Sequence, residues 1–217
     1  MTKLIFALLV AALTSSSSLA ENRPDVVCVP ASQRGNSELG CYVIANKELA
    51  KLPDVPLYWH LYTYDTQAAA DAAKGNAGTV VESFGKVWLF AVAEGSWSPA
   101  GGKKVSRIGP LPISHAGNYT AEYLEATFVP GMKTRVHRHP GPEAWYVVAG
   151  EQCAEIPGRK ITLRAGEGAF VPEGPPMVLW GTGTGKRQGL ALVLHDTTQP
   201  MSAPAPDWTP PGLCAPK

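Results

Sequence analysis

The stretch Gly131-Met132-Lys133-Thr134-Arg135-Val136-His137-Arg138-His139-Pro140-Gly141-Pro142-Glu143-Ala144-Trp145-Tyr146-Val147-Val148-Ala149-Gly150 decides how the chain is read. His137 and His139 are two apart, so on a β-strand both point to one face, because side chains alternate with a period of two. By that alternation Arg135 points inward with them, and Thr134, Val136 and Arg138 point outward; the competing reading is that strand regularity fails near the Gly131 bend and Arg135 reaches solvent. Pro140-Gly141-Pro142 cannot continue a regular ladder and reads as a bend. Ala144 to Ala149 is aromatic and β-branched enough to form a second strand. A chain that folds back at the bend brings Glu143 into the space of the two imidazoles, with Trp145 and Val147 on the same face. Two histidines and a carboxylate converging inside a barrel make a transition-metal site with open positions. The cofactor expected there is a divalent transition metal: Fe, Mn, Zn or Cu. Arg135 beside it would clamp an anionic group of a substrate.

The spacing G-x5-H-x-H-x3-E-x6-G, filled by Gly131, His137, His139, Glu143 and Gly150, resembles the first conserved motif of the cupin superfamily. Gly166, Pro172 and Gly174 fall on the frame of the second cupin motif, G-x5-P-x-G-x2-H-x3-N, after a gap of fifteen residues, 151–165. Met177 stands where that motif carries the fourth ligand His, and Gly181 where it carries Asn. A thioether suits Cu(I) and is a poor partner for Mn or Fe(II), so the expected part of Met177 is to fill an apolar gap. The resemblance covers roughly Tyr119 to His195. It implies an all-β fold, a cupin (jelly-roll) antiparallel β-barrel, and a function among oxidases, isomerases and binding proteins. Fold alone does not choose between these. The leading reading is a metal-dependent enzyme, dioxygenase/oxidase-like or isomerase-like, acting on a small anionic or oxygenated molecule. In it His137, His139 and Glu143 hold the metal, and Arg135 and Glu143 are the catalytic groups. The rival is a non-catalytic cupin that binds a small molecule or the metal itself. Many cupins pair through sheet edges, so the resemblance also implies a homodimer.

Residues 1–20 carry Lys3, an apolar run from Leu4 to Leu13 and the small-x-small end Ser18-Leu19-Ala20, which reads as a signal peptide cut after Ala20. An exported protein, periplasmic or secreted, is the expectation. Four cysteines, Cys28, Cys41, Cys153 and Cys214, then default to two disulfides. Sequence does not choose among the three connectivities, but Cys28–Cys41 would close a short loop and Cys153–Cys214 would pin a Pro-rich tail. Of the nineteen basic and eighteen acidic residues, only Lys3 lies in the leader, so the rest balances at eighteen of each. That charge gives no reason to expect nucleic acid or a membrane surface as partner.

The remainder divides into an extension at 21–112, a barrel at 113–198 and a tail at 199–217 that runs over the surface. In the extension, Cys41–Ile44, Leu57–Tyr64, Thr79–Glu82 and Lys86–Ala93 read as strands. Asp65-Thr66 caps a short helix through Lys74, closed by Gly75. The expectation is a mixed α+β extension that adds strands to the barrel. His60 reads as structural, His115 as a solvated loop residue, and His195 as a rim residue that is neither ligand nor acid–base group. No G-x-S-x-G motif and no Gly-rich phosphate loop is present, which argues against a covalent hydrolase or a nucleotide enzyme.

Overall fold

A computed structural model of the chain describes residues 25–49, 52–113 and 118–215. Residues 1–20, where a signal peptide is expected, and His115 lie outside the described residues. In chain order the elements are β1 (Cys28–Pro30), β2 (Gly40–Leu49), β3 (Leu57–Tyr64), α1 (Gln67–Ala73), β4 (Gly78–Ser83), β5 (Lys86–Glu94), β6 (Lys103–Ile108) and β7 (Tyr119–Phe128). They continue with β8 (His137–Arg138), β9 (Glu143–Ala149), β10 (Glu151–Ile156), β11 (Arg159–Arg164), β12 (Gly168–Val171), β13 (Val178–Thr182), β14 (Arg187–Asp196) and β15 (Ala203–Pro204). The fold is all-β, as the resemblance implied. Among the described residues α1 is the sole α-helix, capped by the Thr66 hydroxyl accepting from the Ala69 N–H at 3.2 Å, so the α part of the expected extension shrinks to two turns.

One wall of the barrel is a six-stranded sheet in the order β1-β2-β7-β14-β9-β12. The facing wall is the three-stranded sheet β11-β10-β13, continued by the bridges Lys133↔Trp180 and His137↔Met177 into the pair β8–β15. Strand parity sorts the six-stranded sheet cleanly. Leu124, Ala126, Trp145, Val147 and Val193 face the barrel interior and pack with Ile156, Met177 and Leu179 of the other wall. Ala121, Tyr123, Ala144, Tyr146, Leu190, Leu192 and Leu194 face the other way.

That second face explains the extension. Strands β1 and β2 do join the barrel sheet, but β4-β5-β3-β6 form a four-stranded sheet of their own. Its apolar residues Leu57, Trp59, Leu61, Trp88 and Phe90 bury against the outer face of the barrel sheet. A sheet buried on both faces lets the barrel wall carry an unbroken apolar run, as β14 does from Gly189 to Leu194. At about 25 cal/mol per Å² of apolar surface this layer is a large part of the core.

Two disulfides are formed, Cys28–Cys41 with Cα atoms 4.4 Å apart and Cys153–Cys214 at 5.7 Å. The first joins parallel neighbours β1 and β2 in register. The second ties the C-terminal segment to β10, where the buried Glu155 carboxylate accepts from the Gly212 and Cys214 N–H groups at 2.8 and 3.0 Å. No helix among the described residues is long and apolar enough to cross a membrane.

Candidate metal centre

Local chain chemistry builds this site around one irregularity. Lys133 pairs with Trp180 and His137 with Met177, so four steps on one strand face three on the other, from 133 to 137 against 180 to 177. Arg135 and Val136 are the extra residue's place, a bulge that reverses strand parity. Thr134 therefore faces inward, buried at 7% exposure, with its hydroxyl accepting from the Leu179 N–H at 3.0 Å. The expected alternation, with Thr134 outward and Arg135 inward beside the histidines, is corrected on this point. Arg135 is exposed and borders the cavity at its mouth.

Past the bulge, His137 and His139 turn towards each other, ring centroids 4.8 Å apart and nearly perpendicular. The Pro140-Gly141-Pro142 bend then returns the chain so that Glu143 opens β9. The ligand atoms of His137, His139 and Glu143 all lie within 4.8 Å of one another, and His139 and Glu143 are buried. Each ring is oriented from behind: His137 Nδ1 donates to the Arg135 carbonyl and His139 Nδ1 to the Met201 carbonyl, both at 2.7 Å. A carbonyl can only accept, so both Nδ1 atoms carry the proton and both Nε2 atoms present lone pairs. This outer support is what metal-binding histidines require.

The His139 Nε2 and Glu143 Oε2 atoms are 3.3 Å apart, yet neither has a hydrogen-bond partner in the protein and both are buried. Two ligand atoms bound about 2.1 Å from one ion sit about 3.0–3.4 Å apart, so the pair has the spacing of donors that share a metal. A set of two imidazoles and a carboxylate fits Fe(II), Mn, Zn or Cu(II). Without an ion the groups couple to each other. Burial pushes the His139 ring down, but the facing Glu143 carboxylate and the Met201 carbonyl together raise it above its ordinary value. Burial would raise Glu143; His139 foremost, then His137 and the Trp145 indole, hold it low. His137 is lowered, by burial first and then by His139.

The three groups open into a cavity of about 230 Å³ inside the barrel, walled by Leu124, Phe128, Trp145, Leu179 and Val193. Met177 does not border it. Its side chain, 1% exposed, lies in the interior apolar cluster, as expected of a gap filler. The residues of the tail do border it: Met201 to Pro204 form part of the wall. β15 pairs with β8, and Arg138 holds Asp207 through two contacts at 2.7 and 2.6 Å. The tail expected to run over the surface is thus a side of the site. Nothing in its composition marks this, because Met201 acts through its backbone.

Two histidines lie elsewhere, as expected. His60 is fully buried in the four-stranded sheet, with Nε2 2.9 Å from the Glu94 carbonyl. His195 sits on β14 with Nδ1 2.9 Å from the Asp196 carbonyl and Nε2 3.9 Å from Glu122, apart from the ligand cluster. Sequence reasoning missed Arg187. It is 2% exposed and reaches into the cavity from the start of β14. Arg187 precedes the apolar run Gly189–Leu194, and only the structure shows that the strand begins early enough for Arg187 to share a face with Gly189, whose missing side chain leaves room for the guanidinium.

Residues 124–185, which include His137, His139 and Glu143, match the model of the cupin domain. Among solved structures the chain is similar to a DMSP lyase from Ruegeria pomeroyi, at 21% identity over 39% of this chain and 43% of that one, TM-score 0.35. It is similar to a cupin superfamily protein from Desulfitobacterium hafniense, at 20% identity over 35% and 68%, TM-score 0.33. It is also similar to an oxalate oxidase in complex with the substrate analogue glycolate, at 21% identity over 39% and 45%, TM-score 0.33. The chain spans less than half of the lyase and of the oxidase. No curated protein matches it.

Proposed function

We propose that the barrel, whose residues 124–185 match the cupin domain, is a metal-dependent enzyme acting on a small oxygenated or anionic molecule. The observation that carries this is the pair of rings whose Nδ1 protons are spent on the Arg135 and Met201 carbonyls, aiming two lone pairs and a partnerless carboxylate oxygen into one buried cavity. His137, His139 and Glu143 would hold the ion. Bound there, a divalent metal supplies Lewis-acid polarisation of a substrate oxygen or, if redox-active, reaction with dioxygen. The protein's own contribution is placement. The apolar walls exclude water, Trp145 offers a flat face to the substrate, and Arg135 at the mouth draws anions in. A cavity of about 230 Å³ suits a small molecule and no polymer. The two disulfides favour an oxidising compartment for this work, the same compartment that a signal peptide at 1–20 would lead to.

The test is elemental analysis of purified protein beside a His137→Ala/His139→Ala variant and a Met177→Leu variant. Near-stoichiometric metal in wild type and Met177→Leu, lost in the double variant, is the expected result. No metal in wild type, and no uptake on addition of Fe, Mn, Zn or Cu, would sink the metalloenzyme reading and leave a metal-free binding protein.

A further inference from the structure

Arg187 is the one fully buried cation among the described residues that borders the cavity, and its charge is not cancelled. Its Nε donates to Gln152 Oε1 at 2.9 Å, one Nη2 proton reaches the same oxygen, and Nη1 donates weakly to the Ala126 carbonyl at 3.4 Å. A guanidinium has five N–H donors, so these three contacts leave two unused. Among the described residues no carboxylate lies within salt-bridge distance of it. Of the acids bordering the cavity, Glu143 belongs to the histidines, and Glu125 is held by Arg34 and the Ser83 hydroxyl. A neutral amide such as Gln152 orients a cation without neutralising it. Buried charges are otherwise paired, since desolvation must be repaid.

The place is also prepared. The guanidinium lies over the Phe128 ring at 5.4 Å and flat against Gly189, where a Cβ would come within 2.5 Å of the Arg187 Cζ. Gln152 is itself 0% exposed and its Nε2 has no partner. Burial lowers Arg187, opposed by Glu143, to about 10, so the group stays charged at neutral pH.

We propose that Arg187, with Gln152, is the anion-binding end of the cavity, and that the molecule it receives is a small monocarboxylate with a largely apolar body. This rests on the cavity being the substrate site proposed above. The geometry divides the ligand into three parts. The carboxylate takes the two unused N–H donors of Arg187, which Gln152 holds in orientation from behind. The body lies against Leu124, Phe128 and Trp145. The far end meets His137, His139 and Glu143, so the anion fixes which atom is presented to the metal ligands. Arg187 is in this sense a specificity-determining residue. Arg135, exposed at the mouth, attracts anions but does not bury one.

The probes are hexanoate and benzoate against their neutral isosteres hexanamide and benzamide, titrated calorimetrically into chelator-treated protein, with metal uptake measured on the same samples. Expected is at least tenfold tighter binding of one carboxylate over its amide in wild type and in His137→Ala/His139→Ala. The preference should be lost in Arg187→Met, which keeps the stem's packing, and weakened in Gly189→Ala, which keeps the charge but displaces it. No preference for either carboxylate in wild type overturns the proposal, as does an undiminished preference in Arg187→Met. Should Arg187→Met fail to fold, Gly189→Ala decides alone, and an unchanged preference there is equally fatal. The two readings fail separately. Wild type that prefers carboxylates but takes up no metal loses the metalloenzyme and keeps the anion site, while metal uptake without a preference does the reverse.

Discussion

Replacing Gly141 by Ala tests whether the bend between His139 and Glu143 is locked by its surroundings. Gly141 is buried, and its backbone is not left-handed, so an alanine pays no conformational penalty there. Its Cβ would overlap the Leu194 carbonyl oxygen and lie 3.0 Å from the carbonyl carbon and 3.2 Å from the His195 Cα. The obstacle is main chain, and it cannot step aside: β14 is bonded to β7 on one edge and β9 on the other, and Leu194 N–H donates to the Pro142 carbonyl at 3.0 Å. Overpacking costs about 1–3 kcal/mol, and an immovable neighbour puts this case near 3. For a chain of this size that is a fall in Tm of roughly 6–12 °C. If the bend yields instead, it carries Glu143 away from His139 and weakens metal binding by about 10–100-fold, the range for lost ligand support. Gly185→Ala, with open space around the position, is the control and should change stability by less than about 0.5 kcal/mol. Thermal melts and metal titrations of the three proteins read both effects. Gly141→Ala melting with the control and binding metal like wild type would refute the lock.

Two further predictions concern the tail and the ligand pair. Cys153→Ala/Cys214→Ala opens a loop of sequence separation 61 and should cost about 4 kcal/mol in denaturant unfolding on the chain-entropy scale; a loss below about 1 kcal/mol would mean that β15 and the Arg138–Asp207 contact hold the tail unaided. In metal-free protein, His139 is raised from 6.5, so its contribution is full below that value and fades as pH rises through the folded pKa; Glu143 is lowered from 4.5, so its contribution is full above that value and fades as pH falls through the folded pKa. The stability gap between wild type and Glu143→Gln should therefore be widest at about pH 4.5–6.5 and shrink on both sides, and a gap that grows steadily towards pH 9 would contradict the pairing.

The convergence of His137, His139 and Glu143 was legible because their spacing survives local irregularity. His137 and His139 share a face beyond the bulge, and Pro140-Gly141-Pro142 turns the chain as its composition dictates. The strands around His60 and Lys86 and the Thr66 cap were equally readable, since each follows from residues near one another in sequence; an even cysteine count indicated two disulfides but did not choose their pairing. Parity across Arg135-Val136 was not readable. A bulge is set by the partner strand, and one residue of slip exchanges inside for outside. The separate four-stranded sheet was hidden for a similar reason: alternation says that Trp59 and Leu61 are buried, not which surface buries them. Arg187 follows Gly181-Thr182-Gly183-Thr184-Gly185-Lys186, a stretch that reads as loop, so its strand parity had no anchor. Met201 is the hardest case, because a carbonyl has no letter of its own.

His139 takes its aim from a carbonyl 62 residues later in the chain. A ribosome delivers His137, His139 and Glu143 well before it delivers Met201. During that interval the three side chains are loose donors, free to bind any passing ion weakly and in any arrangement. Only when β15 docks on β8 does His139 acquire a fixed tautomer and direction. On the metal-binding function proposed above, the choice of ion would thereby be deferred to a finished pocket rather than made at the first encounter.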